Sequence, residues 1–153
     1  MAGERESNVQ DTARRFAELG QQHLPAILRL IDEVVAGSCP SGSTLVPMCG
    51  YHLQTGGKRL RALLPLLVAE ALGRDPAGLV PFGAACEMLH NATLVHDDVQ
   101  DGDEMRRGQP TVWRRYGLAR ALDLGDAMFY FTLLLVQRLA VPPALGAAVT
   151  RRV

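Results

Sequence analysis

The sequence predicts an all-α chain on three observations. Apolar residues recur at helical spacing, Gly and Pro punctuate the ends of those segments, and no stretch alternates apolar and polar residues as a strand would. From Thr12 to Val35, Phe16, Leu19, Leu24, Ile27, Leu28, Ile31 and Val34/Val35 mark a first amphipathic helix with a kink expected at Pro25. A Gly/Ser/Pro linker, 37–44, leads to a shorter helix over Leu45–Thr55 that stops at Gly56-Gly57. Leu60–Leu72 is Leu/Ala-rich and stops at Gly73, and Asp75-Pro76 starts a helix running from about Ala77 past His96. Thr111–Tyr116 reads as one or two turns and Leu118–Ala140 as a long helix. Pro142-Pro143 breaks the chain before a last apolar stretch. No internal repeat is present.

At 153 residues and 48% hydrophobic the chain fits one ordinary domain with enough apolar surface for a core. Residues 1–11 are polar and read as a flexible tail without the apolar core of a secretory leader, which leaves 12–153 as the folded domain. Sixteen basic and sixteen acidic side chains cancel, so no global field advertises nucleic acid or an anionic membrane. Cys39, Cys49 and Cys86 lack zinc-site spacing and read as free thiols of a cytoplasmic protein. The apolar run Met128–Val136 is bracketed by Asp123, Asp126 and Arg138, well short of the ~20 apolar residues of a membrane span, and reads as a buried core helix.

The chemistry concentrates in Leu94-Val95-His96-Asp97-Asp98-Val99-Gln100-Asp101, three carboxylates at the end of an apolar helix. Asp97 and Asp101 share a face one turn apart, and Asp98 lies three residues from Asp101. The cluster repels itself and sits at the negative end of the helix dipole, so it calls for a cation. Hard oxygens suit Mg²⁺, which takes one or two carboxylates and completes its shell from water and substrate phosphate. The alternative is a solvated acidic face. Gly56-Gly57-Lys58-Arg59-Leu60-Arg61 sets unpaired backbone N–H groups and two cations sharing a face, Lys58 and Arg61, at a helix start, where an anion can sit; by itself such a segment is more often a basic turn than a ligand site. Arg106-Arg107-Gly108 either neutralises the nearby acids through exposed pairs worth ~1 kcal/mol or less, or grips phosphate oxygens. His90 is either a satisfied core histidine or a member of the stripe that carries Glu87, Leu94 and Asp97/Asp101.

Taken together, Gly-Gly-Lys-Arg-Leu-Arg (56–61), Glu-Met-Leu-His (87–90), the 94–101 segment and Arg-Arg-Gly-Gln-Pro-Thr (106–111) resemble the signature of the trans-polyprenyl diphosphate synthases in order and spacing, and Gly125-Asp126 resembles the family's following helix. The resemblance implies an antiparallel helical bundle of the isoprenoid synthase type, of which this chain carries the first half. It implies a prenyltransferase that joins isopentenyl diphosphate head-to-tail to an allylic diphosphate. Asp97 and Asp101 would bind Mg²⁺, with Asp98 in or beside that shell, and Arg106 would contact the allylic diphosphate; these four are the expected catalytic set. Lys58, Arg61, His90 and Arg107 would hold isopentenyl diphosphate. Ala92 and Thr93, small residues in the stretch that lines the family's product tunnel, point to a product of geranylgeranyl length or longer. Trp113 and Ala62 depart from the family's frequent histidine and proline.

A full synthase of this kind is about twice as long and carries a second aspartate-rich motif, yet no Asp or Glu follows Asp126. The expectation is therefore a fragment, one part of a split enzyme, or a non-catalytic subunit, with a homodimer or a partner chain covering the apolar faces left open. A membrane-associated helical scaffold using Met128–Val136 would leave the acid and base motifs unexplained.

Overall fold

The computed structural model describes the backbone of residues 2–152 and the side chains of residues 10–152. Seven α-helices appear among them: α1 (Ala2–Ser38), α2 (Leu45–Gln54), α3 (Leu60–Ala71), α4 (Val80–Gln100), α5 (Val112–Tyr116), α6 (Leu118–Val136) and α7 (Pro143–Thr150). A 3-10 turn, Pro76–Leu79, precedes α4, and Asp75 caps it by accepting a hydrogen bond from the Ala77 N–H at 3.0 Å.

The core side of α1 carries Leu19, His23, Ile27, Ile31 and the adjacent Val34 and Val35, so that successive turns each place a residue in the core. The helix passes through Pro25 unbroken. It is also helical from Ala2, so the expected boundary at residue 11 has no counterpart in the backbone; Met1 lies outside the described residues. Helix-forming residues and pairs between Arg14 and Asp11 and between Arg15 and Glu18 at 2.6 Å supply local reasons for continuing the helix toward the N-terminus.

Helix α4 is the axis of the fold, packed most extensively against α6 and flanked by α3 and α1. The short connection between α3 and α4 makes them antiparallel neighbours. Their approach depends on Gly83, where a Cβ would lie 2.3 Å from the Ala62 carbonyl oxygen. Gly125 of α6 opens a similar seat for the His96 ring.

Met128, Phe131, Thr132, Leu135 and Val136 form the buried face of α6, so the run is a core helix as expected. No helix among the described residues is long and apolar enough to cross a membrane. The three cysteines are unpaired. The expectation of a chain without strands needs one correction: β1 (Met105–Arg106) pairs antiparallel with β2 (Gln109–Pro110). Two-residue strands are too short to show an alternating pattern.

Candidate functional site: a cation-lined cleft beside a carboxylate pair

One face of α4 stays open. Cys86, His90, Thr93, Asp97 and Asp101 follow one another at steps of three or four, so they form a single stripe, partly or fully exposed. Ala92 faces the core and Thr93 the open side, where its hydroxyl donates to the His90 carbonyl at 2.8 Å. Glu87, expected on that stripe, instead turns inward and is buried, although it reaches the edge of the cleft described below.

Adjacent residues on a helix point about 100° apart, and the acidic cluster divides accordingly. Asp97 and Asp101 project from the open face without an ion-pair or hydrogen-bond partner for their carboxylates among the described residues. Asp98 is 1% exposed, and its Oδ1 accepts a hydrogen bond from Arg106 Nε at 2.7 Å and forms an ion pair with Nη2 at 2.6 Å. Its Oδ2 is buried with no hydrogen-bond partner. This pair realises the neutralising alternative for Arg106, but in a buried form rather than the exposed form expected. The hydrogen bond to Asp98 raises the Arg106 pKa further and leaves Nη1 without a bond.

Arg106 is aimed by the hairpin. Arg107 and Gly108 both have positive φ, 51° and 81°, the geometry of a tight two-residue hairpin turn. The loop leading in is pinned through the Asp103 carbonyl, which accepts from Thr111 Oγ1 at 2.9 Å and Trp113 Nε1 at 2.8 Å. Tyr51 of α2 donates to the Pro110 carbonyl at 2.6 Å and fixes the other strand. Trp113 is thus a brace of this loop, a role its sequence position did not signal.

The turn carries Arg107 over the Gly56-Gly57 pair. A Cβ at Gly57, where φ is 130°, would lie 2.5 Å from Arg107 Nη1. Gly57, Lys58, Arg59, Leu60, Arg61, Glu87, His90 and Arg107 line a cleft of about 190 Å³. The four expected binding residues Lys58, Arg61, His90 and Arg107 therefore meet at one place. None of Lys58, Arg61 and Arg107 has a salt-bridge partner among the described residues. Burial, then Arg61, hold His90 below the ordinary histidine range, with Arg107 and Arg106 acting the same way against Glu87. Its ring is consequently neutral at pH 7.

Two basic or polar groups behind the cleft were not singled out by the sequence. Arg59 has a left-handed backbone (φ 51°) and bonds inward, Nη1 to Glu87 Oε1 at 2.8 Å and Nη2 to the Leu53 carbonyl. His52 is 2% exposed, and burial, with help from Arg106, Arg107 and Arg59, pushes its pKa down to about 4. The partner of Arg59 lies 28 positions away, and the burial of His52 depends on tertiary packing, so neither has a local signal.

No group of three His, Cys, Asp or Glu side chains among the described residues converges tightly enough to cage a metal ion. That donor set does not suit a zinc or calcium cage. Two unpartnered carboxylates one turn apart do suit Mg²⁺, which relies on water and phosphate for most of its shell. Beside the cation cleft, Leu64, Pro65, Val68, Leu79, Phe82 and Cys86, with Arg61 at the boundary, form an open apolar groove of about 460 Å³. Leu118, Leu122, Phe129, Tyr130 and Leu134 are also exposed along α6.

The helical scaffold sets three cations without salt-bridge partners next to two unpartnered carboxylates among the described residues. The chain belongs to the polyprenyl synthetase family, whose profile matches residues 43–151. It is 40% identical over 128 residues to a geranylgeranyl pyrophosphate synthase of Geoglobus acetivorans, covering 84% of this chain and 40% of that protein. It is 45% identical over 95 residues to a geranylgeranyl diphosphate synthase of Mycobacterium tuberculosis, covering 55% and 27%. Among solved structures, a geranyltransferase from Legionella pneumophila superposes with a TM-score of 0.80 at 26% identity, covering 94% of this chain and 51% of that one. The geranylgeranyl pyrophosphate synthetase of Geoglobus acetivorans gives 0.78 at 32% identity, covering 86% and 42%. The all-α isoprenoid synthase fold is thereby shown. The chain spans well under half the length of these curated relatives.

Proposed function

We propose that this chain carries the substrate-gathering part of a prenyltransferase that condenses isopentenyl diphosphate with an allylic diphosphate. The observation that carries the reading is the pairing, on one face of α4, of a cation cleft around His90 with the carboxylates of Asp97 and Asp101. His90 and Asp97 are seven residues apart, about 10 Å along the helix, so two diphosphate ends could be held side by side without sharing a site.

In this reading Lys58, Arg61 and Arg107 grip the oxygens of isopentenyl diphosphate, and neutral His90 adds a hydrogen bond. Asp97 and Asp101 hold Mg²⁺, which when bound supplies charge neutralisation at the allylic diphosphate and its leaving oxygen. Asp98 stays with Arg106 and aims the free Nη1 of that guanidinium toward the same diphosphate. The allylic C–O bond breaks, the isopentenyl double bond supplies the electrons for the new C–C bond, and a proton is lost, with diphosphate as its acceptor. Thr93, small and on the open face, leaves room for a product of geranylgeranyl length or longer, whereas Ala92 is packed in the core and takes no part. A cytoplasmic homodimer, or assembly with a partner chain that brings a second aspartate-rich motif, completes the proposal.

The exposed apolar groove favours a second reading, a subunit that acts only with further polypeptide. The test is condensation of radiolabelled isopentenyl diphosphate with dimethylallyl, geranyl and farnesyl diphosphates plus Mg²⁺, for the chain and its Asp97→Ala variant. Product lost in the variant supports the enzyme and gives the chain length. A folded chain that makes no product leaves the subunit reading and rejects autonomous catalysis.

A further inference from the structure

Three cations stand within four positions at 58–61, yet they do not face the same way. Lys58 and Arg61 reach the cleft unpaired, whereas Arg59 is 10% exposed at its side chain and bonds inward, to Glu87 Oε1 at 2.8 Å and to the Leu53 carbonyl. Glu87 is itself 5% exposed and accepts a second bond from Asn91 Nδ2 at 3.1 Å. Asn91 is fixed in turn by donating to the Glu87 carbonyl at 2.7 Å. The carboxylate is thus held from both sides on α4, one helical turn before His90.

The backbone explains what this anchor does. Arg59 is one of two non-glycine residues with positive φ among the described residues, and it caps α3. Such a conformation is disfavoured for a side chain as large as arginine and persists only where the surroundings hold it. Gly56 and Gly57, separated from it by Lys58, also have positive φ, 86° and 130°, so three of the four residues 56–59 have positive φ where the chain reverses between α2 and α3. Among these, only Arg59 has a side chain that can tie the turn to α4.

We propose that Arg59 and Glu87 form a positioning pair: they lock the 56–59 turn against α4, so that Lys58 and Arg61 meet His90 and Arg107 on one diphosphate, and Arg59 itself touches no substrate. The proposal rests on the reading of the cleft as a diphosphate site. It assigns the acidic residue at the cleft's edge a purpose that charge alone would not, since a carboxylate beside an anion site otherwise weakens it.

That opposition of signs makes the test. In Glu87→Gln, an isosteric change, removal of a negative charge should tighten isopentenyl diphosphate binding if charge alone matters. Positioning predicts binding at least about tenfold weaker by titration calorimetry, with Arg59→Lys weakened comparably because lysine keeps the charge and loses the two-armed grip. Amide hydrogen exchange across 56–61, measured without ligand, should speed up at least about tenfold in both variants while the α6 amides, which report global stability, hold their protection. Unchanged exchange in the turn, or wild-type or tighter binding by Glu87→Gln, would overturn the proposal. If the wild-type chain does not bind isopentenyl diphosphate, the reading of the cleft fails, and the ligand-free exchange still decides whether the pair positions the turn.

Discussion

Replacing Arg106 with methionine should destabilise the chain through the carboxylate it leaves behind. Asp98 is 1% exposed, both bonds to its Oδ1 come from Arg106, and Oδ2 has no hydrogen-bond partner to take over. Stranding one member of a fully buried pair costs about 3–5 kcal/mol. The Arg106 side chain is 22% exposed, so water gains some access once it is gone, and the cost falls below that range, to about 2–3 kcal/mol. With a urea m-value of about 2 kcal/mol/M, the unfolding midpoint should fall by about 1–1.5 M. Adding Asp98→Asn removes the stranded charge, so the double variant should be more stable than Arg106→Met alone by about 1 kcal/mol or more. The assay is urea unfolding of the wild type, both single variants and the double variant, followed by circular dichroism. An Arg106→Met midpoint indistinguishable from wild type, or purely additive losses, would refute the idea that this pair holds the hairpin against α4.

Acid should destabilise the chain through His52. Its pKa falls from the ordinary 6.5 to about 4 on folding, chiefly by burial, so its contribution is full above pH 6.5 and is lost as the unfolded state takes up a proton between 6.5 and 4. The loss amounts to about 3 kcal/mol, and urea midpoints of the His52→Gln variant should lack that part of the slope; parallel profiles would remove the assignment. Gly83→Ala should lower the melting temperature even though alanine favours a helix by about 1 kcal/mol, because the new Cβ meets a backbone oxygen at 2.3 Å and overpacking costs about 1–3 kcal/mol. A raised melting temperature would show that α3 and α4 can move apart freely.

The sequence reveals most of what is periodic. The core side of α1, the bounds of α2, α3 and α6 within a few residues, and the open placement of Asp97 and Asp101 follow from 3.6-residue spacing and from Gly and Pro punctuation. What stays hidden is set by tertiary partners. The three-residue spacing groups Lys58 with Arg61 and leaves Arg59 off their face, but nothing local gives Arg59 its inward partner, because that carboxylate belongs to α4. Asp98 reads as a third site acid until its neighbour Arg106 is folded back over it by a hairpin whose strands are too short to leave a pattern. His23 and His52 are polar residues taken into the core, against the usual preference of their type, and only packing explains them. Lys58, Arg61, His90 and Arg107 do meet around one cleft, although the 56–61 segment alone reads more often as a basic turn.

The central claim is that one face of this chain holds two diphosphates by different means, and its direct measurement is equilibrium binding with and without Mg²⁺. Isopentenyl diphosphate should bind without metal, lose affinity in Lys58→Gln and Arg61→Gln, and be little affected by Asp97→Asn. A non-reactive thio analogue of an allylic diphosphate should require Mg²⁺, lose binding in Asp97→Asn, and tolerate Lys58→Gln. Equal dependence of both ligands on the metal and on the same residues would contradict two subsites and leave a single, undivided anion patch.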